Sequence, residues 1–262
     1  MNLQASRQVT AAEVAEVAEV AEVAEVADVA EPSPARLRLR VSLIRPLAIG
    51  CKLFELVSAD GKSLPPATAG AHIDLHLPNG LERSYSLLDP DAAPTRYRIA
   101  VKRDPESRGG SAYLYEKTRL GDVIEVDPPR NNFPLDESVS ETVLIAGGIG
   151  ITPIWAMLQR LRALGLRWRL LYAARSRSEA AFARDLAGLE NVHLHFDEEV
   201  GGLLDIAAIV RDAPPNAHFY CCGPTPMLKA FEAAVAAVGV PAERVHVEYF
   251  TPKYEAAKEG GF

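Results

Sequence analysis

Thr142-Val-Leu-Ile-Ala-Gly-Gly-Ile-Gly-Ile-Thr-Pro153 runs directly into Ile154-Trp-Ala-Met-Leu-Gln-Arg-Leu-Arg-Ala-Leu-Gly165. Thr142 to Ala146 is a short apolar run rich in β-branched residues, the pattern of a strand buried on both faces. Gly147, Gly148 and Gly150 then permit a tight turn with no Cβ in the way. Thr152 is suited to cap a helix and Pro153 to occupy its first position. Ile154, Met157, Leu158, Leu161 and Leu164 follow at helical spacing. A strand, a glycine turn and a helix N-terminus form a cradle for a pyrophosphate, because free backbone N–H groups and the positive dipole end meet there. Alone, the same residues also make a strand-to-helix turn that binds nothing. The G-x-G-x-x-G pattern is incomplete, since Gly148-x-Gly150 is followed by Pro153.

Downstream, strands and helices alternate. Strands are expected at Arg169 to Ala174, Val192 to Phe196, His218 to Cys222 and Val245 to Tyr249, with helices over Glu179 to Ala187, Leu204 to Val210 and Pro226 to Val238. This order predicts a doubly wound α/β domain with a parallel sheet and right-handed crossovers, spanning residues 136–252. Ligands sit in the crevice at the carboxyl ends of such strands, which points back to Gly147 to Thr152.

Upstream the texture is different. Leu37, Leu39, Val41 and Leu43 alternate with polar neighbours as in a half-buried strand. Further strands are expected at Cys51 to Val57, His72 to Leu77, Arg83 to Leu88, Tyr97 to Lys102 and Val123 to Val126. They are separated by the turn signals Asp60-Gly61, Pro65-Pro66, Asn79-Gly80, Asp89-Pro90 and Gly121-Asp122. Six short strands predict a small antiparallel β-barrel over residues 37–135. Residues 1–36 carry an Ala-Glu-Val repeat of period three, which winds its valines around a helix without forming an apolar stripe. They are expected to be a disordered low-complexity acidic tail, and 253–262 a linker.

That tail explains the net charge. Residues 1–31 hold seven acidic side chains against Arg7 alone, a net −6 of the chain's −7, so the remainder is about neutral. Nothing basic enough for nucleic acid remains, and no apolar run reaches membrane-spanning length. Three cysteines, Cys221 and Cys222 adjacent, cannot build a disulfide framework, so a cytoplasmic protein is expected; a monomer is expected as well.

The barrel half has its own anion-binding residues. Arg83-Ser84-Tyr85-Ser86 lies on an expected strand, with Arg83 and Tyr85 on one face and Ser84 and Ser86 on the other. Lys102 and Arg103 follow, then Ser107-Arg108-Gly109-Gly110-Ser111 opening a helix over Ala112 to Lys117. Glycines, serines and an arginine at a helix start suit a phosphate, although an ordinary capped helix with solvated arginines has the same composition.

R-S-Y-S, S-R-G-G-S, G-G-I-G-I-T-P, Cys221-Cys222-Gly223-Pro224 and Val247-Glu248-Tyr249-Phe250 occur in this order. Together they resemble the ferredoxin–NADP reductase superfamily, in the branch of phthalate dioxygenase reductases and vanillate O-demethylase reductases. The resemblance covers residues 37–252. It implies an FMN in the barrel, with Arg83, Arg108, Gly109, Gly110 and Ser111 around its phosphate and ribityl chain, Tyr85 along the flavin, and Ser84 among the cofactor-binding residues. It also implies Ser86 near the ring's redox-active nitrogen, Lys102 and Arg103 lining the site, and Thr152 reaching the ring from the other domain. FAD is the minor alternative.

In the second domain the resemblance implies a pyridine nucleotide on Gly147, Gly148 and Gly150. Cys222, before Gly223 and Pro224, would lie beside the nicotinamide with Glu248 close to it, as positioning groups rather than nucleophile and acid. Without the resemblance, Cys222 reads as a buried core cysteine. The branch implies NADH, while Arg175, Ser176 and Arg177 leave NADPH open, since such a trio could hold a 2′-phosphate.

Members of the branch usually continue into a [2Fe–2S] ferredoxin domain, whose cluster needs four cysteine thiolates. The three cysteines here cannot supply them, and the chain stops about where that domain would begin. The expected function is therefore an NADH-dependent FMN oxidoreductase, the reductase component that passes electrons to a [2Fe–2S] carrier, ferredoxin or Rieske-type oxygenase or demethylase. A flavin reductase releasing reduced flavin, or a non-catalytic nucleotide-sensing electron-transfer subunit, are the alternatives.

Overall fold

The structure, a computed structural model, describes residues 35–104 and 109–250. Arg108, Ser107, the Ala-Glu-Val repeat and residues 253–262 lie outside the described residues.

Six antiparallel strands make the first sheet: β1 (Leu37–Ala48), β2 (Cys51–Ser58), β3 (His72–His76), β4 (Glu82–Ser86), β5 (Tyr97–Lys102) and, after the short helix α1 (Gly110–Glu116), β6 (Val123–Val126). Their order is β4-β3-β6-β1-β2-β5. The Leu88 N–H donates to Arg98 O on β5 (2.9 Å), so the chain just past β4 meets the far edge and the sheet curls into the expected barrel. Leu39, Val41, Phe54, Leu56, Ile73, Leu75, Ile99 and Val101 fill its interior.

Strict alternation along β1 fails at Leu43, which faces outward. The β1–β2 register shifts between Val41 and Leu43, and a bulge of one residue inverts which side chains point in. Ile44 packs on the barrel core instead.

The second sheet is parallel: β7 (Thr142–Gly147), then a 3₁₀ turn over Gly148–Gly150 and α2 (Ile151–Leu164), β8 (Trp168–Ala174), α3 (Ala183–Leu186), β9 (Val192–Phe196), α4 (Asp197–Val200), α5 (Ile206–Arg211), β10 (His218–Cys222), α6 (Thr225–Val238) and β11 (Val245–Glu248). The strand order is β11-β10-β7-β8-β9, a doubly wound arrangement. All six residues of β7 are buried. Leu144 and Ala146 pack with α2 on one face, Val143 and Ile145 with α5 and α6 on the other.

Local departures from expectation have physical causes. The helix over Glu179 to Ala187 shrinks to Ala183–Leu186, because Phe182 takes a left-handed conformation (φ 61) and stacks its ring on Trp155 (4.3 Å). The helix from Leu204 starts only at Ile206, where Asp205 accepts from Ala208 N–H (2.9 Å), a cap worth about 1 kcal/mol. Thr152 does not cap α2. It lies inside the first turn and donates to Ile149 O (3.0 Å). Helix α4, with acidic residues throughout its first turn, was not expected.

The barrel and the parallel sheet share one apolar cluster. Cys51, Leu53, Leu88 and Ala100 from the barrel pack with Leu144, Ile151, Tyr172, Tyr220 and Cys222. Gln159 Nε2 also donates to Leu88 O (2.7 Å) and Ile49 N–H to Ser178 O (2.9 Å).

Candidate active site

In the parallel sheet the direction of winding reverses between β7 and β10, and the crevice at their carboxyl ends is where a ligand can enter. Gly147 to Gly150 end β7, and Gly223 to Thr225 end β10. Together with Lys102 from the barrel and Tyr249 and Phe250 past β11, they line a cleft of about 350 Å³.

Glycine is required at two of these positions by close approach. A Cβ on Gly150 would stand 2.5 Å from the Cys222 carbonyl carbon and 2.7 Å from the Gly223 nitrogen, both rigid backbone. On Gly147 it would meet Met227 Sδ at 2.6 Å and Pro224 Cδ at 2.7 Å. The two glycine segments therefore touch, and both line the cleft. Tyr172 OH donates to Gly148 O (3.2 Å), fixing the turn from beneath.

Cys222 and Glu248 are register partners on adjacent parallel strands. Cys222 Sγ lies 3.9 Å from Glu248 Oε2. Burial, then the neighbouring Glu248 charge, pushes the Cys222 thiol well above its usual pKa, so it is a neutral thiol. Burial raises Glu248 to about 7, with the Cys222 hydrogen bond opposing. A neutral thiol beside a carboxyl that changes charge near neutrality can shape and polarise a gap but is a poor nucleophile.

On the barrel side, Ser86 closes β4 on the face covered by α2. Thr152 Oγ1 approaches Ser86 Oγ to 3.4 Å, with Thr152 3% and Ser86 6% exposed. Tyr85 beside it is half-buried, and desolvation raises its hydroxyl pKa against the opposing Arg83 charge. Arg83 runs across the start of α1, where a Cβ on Gly110 would fall 2.7 Å from Arg83 Cγ. Gly109 precedes it at φ 109, and Ser111 Oγ accepts from Asp104 N–H (3.3 Å).

The structure thus brings together Arg83 with Gly110, Ser86 with Thr152, Cys222 with Glu248, and Lys102 with Gly147, Gly148, Gly150, Gly223 and Pro224. Several expected site residues have other partners, among them Lys102, whose Nζ lies 3.6 Å from Glu179 Oε2. Ser84 donates to the buried Asp74, which also pairs with Arg130. Arg103 pairs with Glu116 (2.7 Å) and Arg175 with Glu198 (3.0 Å). Tyr249 and Phe250 belong to the motif Val247-Glu248-Tyr249-Phe250, but the motif alone gives them no place in the cleft, which they line. Their signal was position, immediately after a strand ending beside Gly223.

The three cysteines do not fit an iron–sulfur cluster. Cys51 sits in the barrel, while Cys221 and Cys222 point to opposite faces of β10. Burial pushes Cys51 and Cys221 up to about 12, against the thiolate form that a cluster needs. Among the described residues, no helix is long and apolar enough to cross a membrane.

No family model matches the chain. Individual proteins do. It is 56% identical over 229 residues to phenoxybenzoate dioxygenase subunit beta of Ectopseudomonas oleovorans, covering 87% of this chain and 71% of that protein. It is 48% identical over 218 residues to tetrachlorobenzoquinone reductase of Sphingobium chlorophenolicum, covering 81% and 67%. Among solved structures it is similar to phthalate dioxygenase reductase, described as modular for electron transfer from pyridine nucleotides to [2Fe–2S]. The TM-score there is 0.76 and the identity 38%, over 82% of this chain and 68% of that one. With a parallel sheet whose glycine turn faces a β-barrel, and relatives of this identity and coverage, the chain belongs to the oxygenase-reductase branch of the ferredoxin–NADP reductase superfamily that contains phthalate dioxygenase reductase.

Proposed function

We propose that this chain is an NADH-dependent FMN oxidoreductase, the cytoplasmic reductase component that passes electrons to a [2Fe–2S] carrier, a ferredoxin or a Rieske-type oxygenase or demethylase. The observation that carries the reading is the 3.4 Å approach of Thr152 to Ser86. It joins the helix after the glycine turn to the barrel strand that bears Arg83 and Tyr85. On this reading residues 37–135 carry the flavin and 136–252 the nucleotide.

The residues present fit both groups. A cation lying over a glycine-rich helix start suits the FMN phosphate, with Arg83, Gly109, Gly110 and Ser111 as its holders and Tyr85 and Ser86 along the ring. Gly147, Gly148, Gly150 and Gly223 suit a pyrophosphate, because a side chain at Gly147, Gly150 or Gly223 would crowd its neighbours. A bound flavin would supply the acceptance of a hydride and the release of electrons one at a time.

What the chain itself contributes is positioning. Thr152 and Ser86 meet where the two halves join, and the shared apolar cluster holds the halves together. The cluster of Leu53, Leu88, Ile151 and Tyr172 behind them keeps water out of the contact. Cys222 and Glu248 bound the nicotinamide end, and Lys102 bridges cleft and barrel. No general base is needed, so the rate depends on how closely these walls bring the reacting atoms together.

Identification of the extracted flavin, together with NADH-dependent reduction of ferricyanide, tests the reading. FMN and rapid turnover support it, whereas purified protein that takes up no flavin contradicts it. A second reading, direct reduction of a small quinone, is favoured by the relative named for tetrachlorobenzoquinone reduction. Turnover of that quinone without any iron–sulfur carrier would select it.

A further inference from the structure

We infer that Glu198 and Glu199 act as a guard against a 2′-phosphate, making the nucleotide site selective for a free ribose. The inference rests on the nucleotide reading of the cleft. It goes beyond it in naming which residues choose between the two pyridine nucleotides.

In a doubly wound sheet the adenosine ribose lies over the end of the second strand, and the side chains there choose between hydroxyl and phosphate. That strand is β8, which ends at Ala174 and continues as Arg175-Ser176-Arg177. By residue type these arginines favour a phosphate. Their surroundings reverse that. Arg175 Nε is 3.0 Å from Glu198 Oε1. Arg177 meets Glu199 fork to fork, Nε to Oε1 at 3.1 Å and Nη2 to Oε2 at 2.9 Å.

The two glutamates come from α4, directly after the neighbouring strand β9. Their place is fixed by backbone, since Glu198 N–H donates to Arg175 O (3.1 Å). Arg177 is held from its other side by the Phe196 ring, 4.4 Å from the guanidinium carbon. Ser176 is turned to Ser178, Oγ to Oγ at 3.0 Å.

Both pairs are exposed, so they add little to stability. Their effect on a ligand is a difference, and there it is large. A 2′-phosphate dianion would have to displace two carboxylates from the arginines and then remain beside them, like charge against like. A ribose diol suffers no such repulsion, and its hydroxyls can donate to carboxylate oxygens.

The test uses the intact chain and two small probes, 5′-AMP and 2′,5′-ADP, titrated calorimetrically so that no turnover is needed. In Glu198→Gln/Glu199→Gln the shape of both side chains is kept and the negative charge lost. Affinity for 2′,5′-ADP relative to 5′-AMP should rise about tenfold or more. Adding Arg175→Ala/Arg177→Ala in the same background should cancel that rise. An unchanged ratio, with 5′-AMP still bound, overturns the guard and leaves the nucleotide reading intact. A wild-type chain that binds neither probe nor NADH overturns both.

Discussion

Thr152 Oγ1 lies 3.4 Å from Ser86 Oγ, and both hydroxyls are buried where the barrel meets the parallel sheet. Thr152 is also held by Ile149 O (3.0 Å), so the contact transmits the position of the glycine turn to the barrel strand. Ser86→Ala removes one hydroxyl and little volume. We expect the fold to lose only about 1 kcal/mol, while flavin reduction by NADH slows about tenfold or more. Thermal melting and anaerobic stopped-flow spectrophotometry separate the two effects, and equal rates would make Ser86 a packing residue.

Cys222 calls for a different split. Cys222→Ala leaves a small cavity at a wholly buried site, costing roughly 1–2 kcal/mol. If the thiol shapes the nicotinamide gap, kcat should fall about tenfold while the NADH dissociation constant changes much less. A fall in affinity alone would assign the cysteine to binding.

Glu248 links the site to pH. Burial raises its carboxyl from 4.5 to about 7, so the folded chain holds this proton more tightly than the unfolded one. The stability it contributes is full below pH 4.5 and is lost as pH rises through about 7, by about 3 kcal/mol at most. Glu248→Gln should flatten the melting temperature across this window relative to wild type. Parallel curves would show that Glu248 does not titrate there.

The two buried glycines of the turn should differ in tolerance. Gly150→Ala drives a methyl into the backbone of Cys222 and Gly223, whereas Gly147→Ala meets side-chain atoms, the Met227 thioether, which can move, and the Pro224 ring at 2.7 Å, which moves less. Gly150→Ala should therefore cost about 1–3 kcal/mol and weaken NADH binding, with Gly147→Ala milder in both. Chemical denaturation and nucleotide titration of the pair decide it, and the reverse order would mean that the turn is built differently.

How much of this was legible in the sequence depends on range. The strand, turn and helix around Gly147 to Gly150 are written in periodicity and glycine spacing, so they could be read locally. The barrel's six strands could be read from alternation and turn residues. Leu43 was misread because a bulge changes parity without changing composition. Phe182 cut a helix short through a stacking partner, Trp155, that lies 27 positions away. Arg175 shows the same limit within the site. Its charge invites a phosphate, but its partner, Glu198, is brought beside it only by the β8–β9 pairing. Pairing between strands is invisible to a local pattern.

Anaerobic titration of the FMN-reconstituted chain with NADH tests most directly whether the barrel and the sheet form one redox site. Flavin absorbance should bleach in proportion to NADH added, reaching full reduction near one equivalent. A chain that retains its flavin and binds NADH, yet shows no bleaching, would contradict the claim that these two halves bring donor and acceptor together.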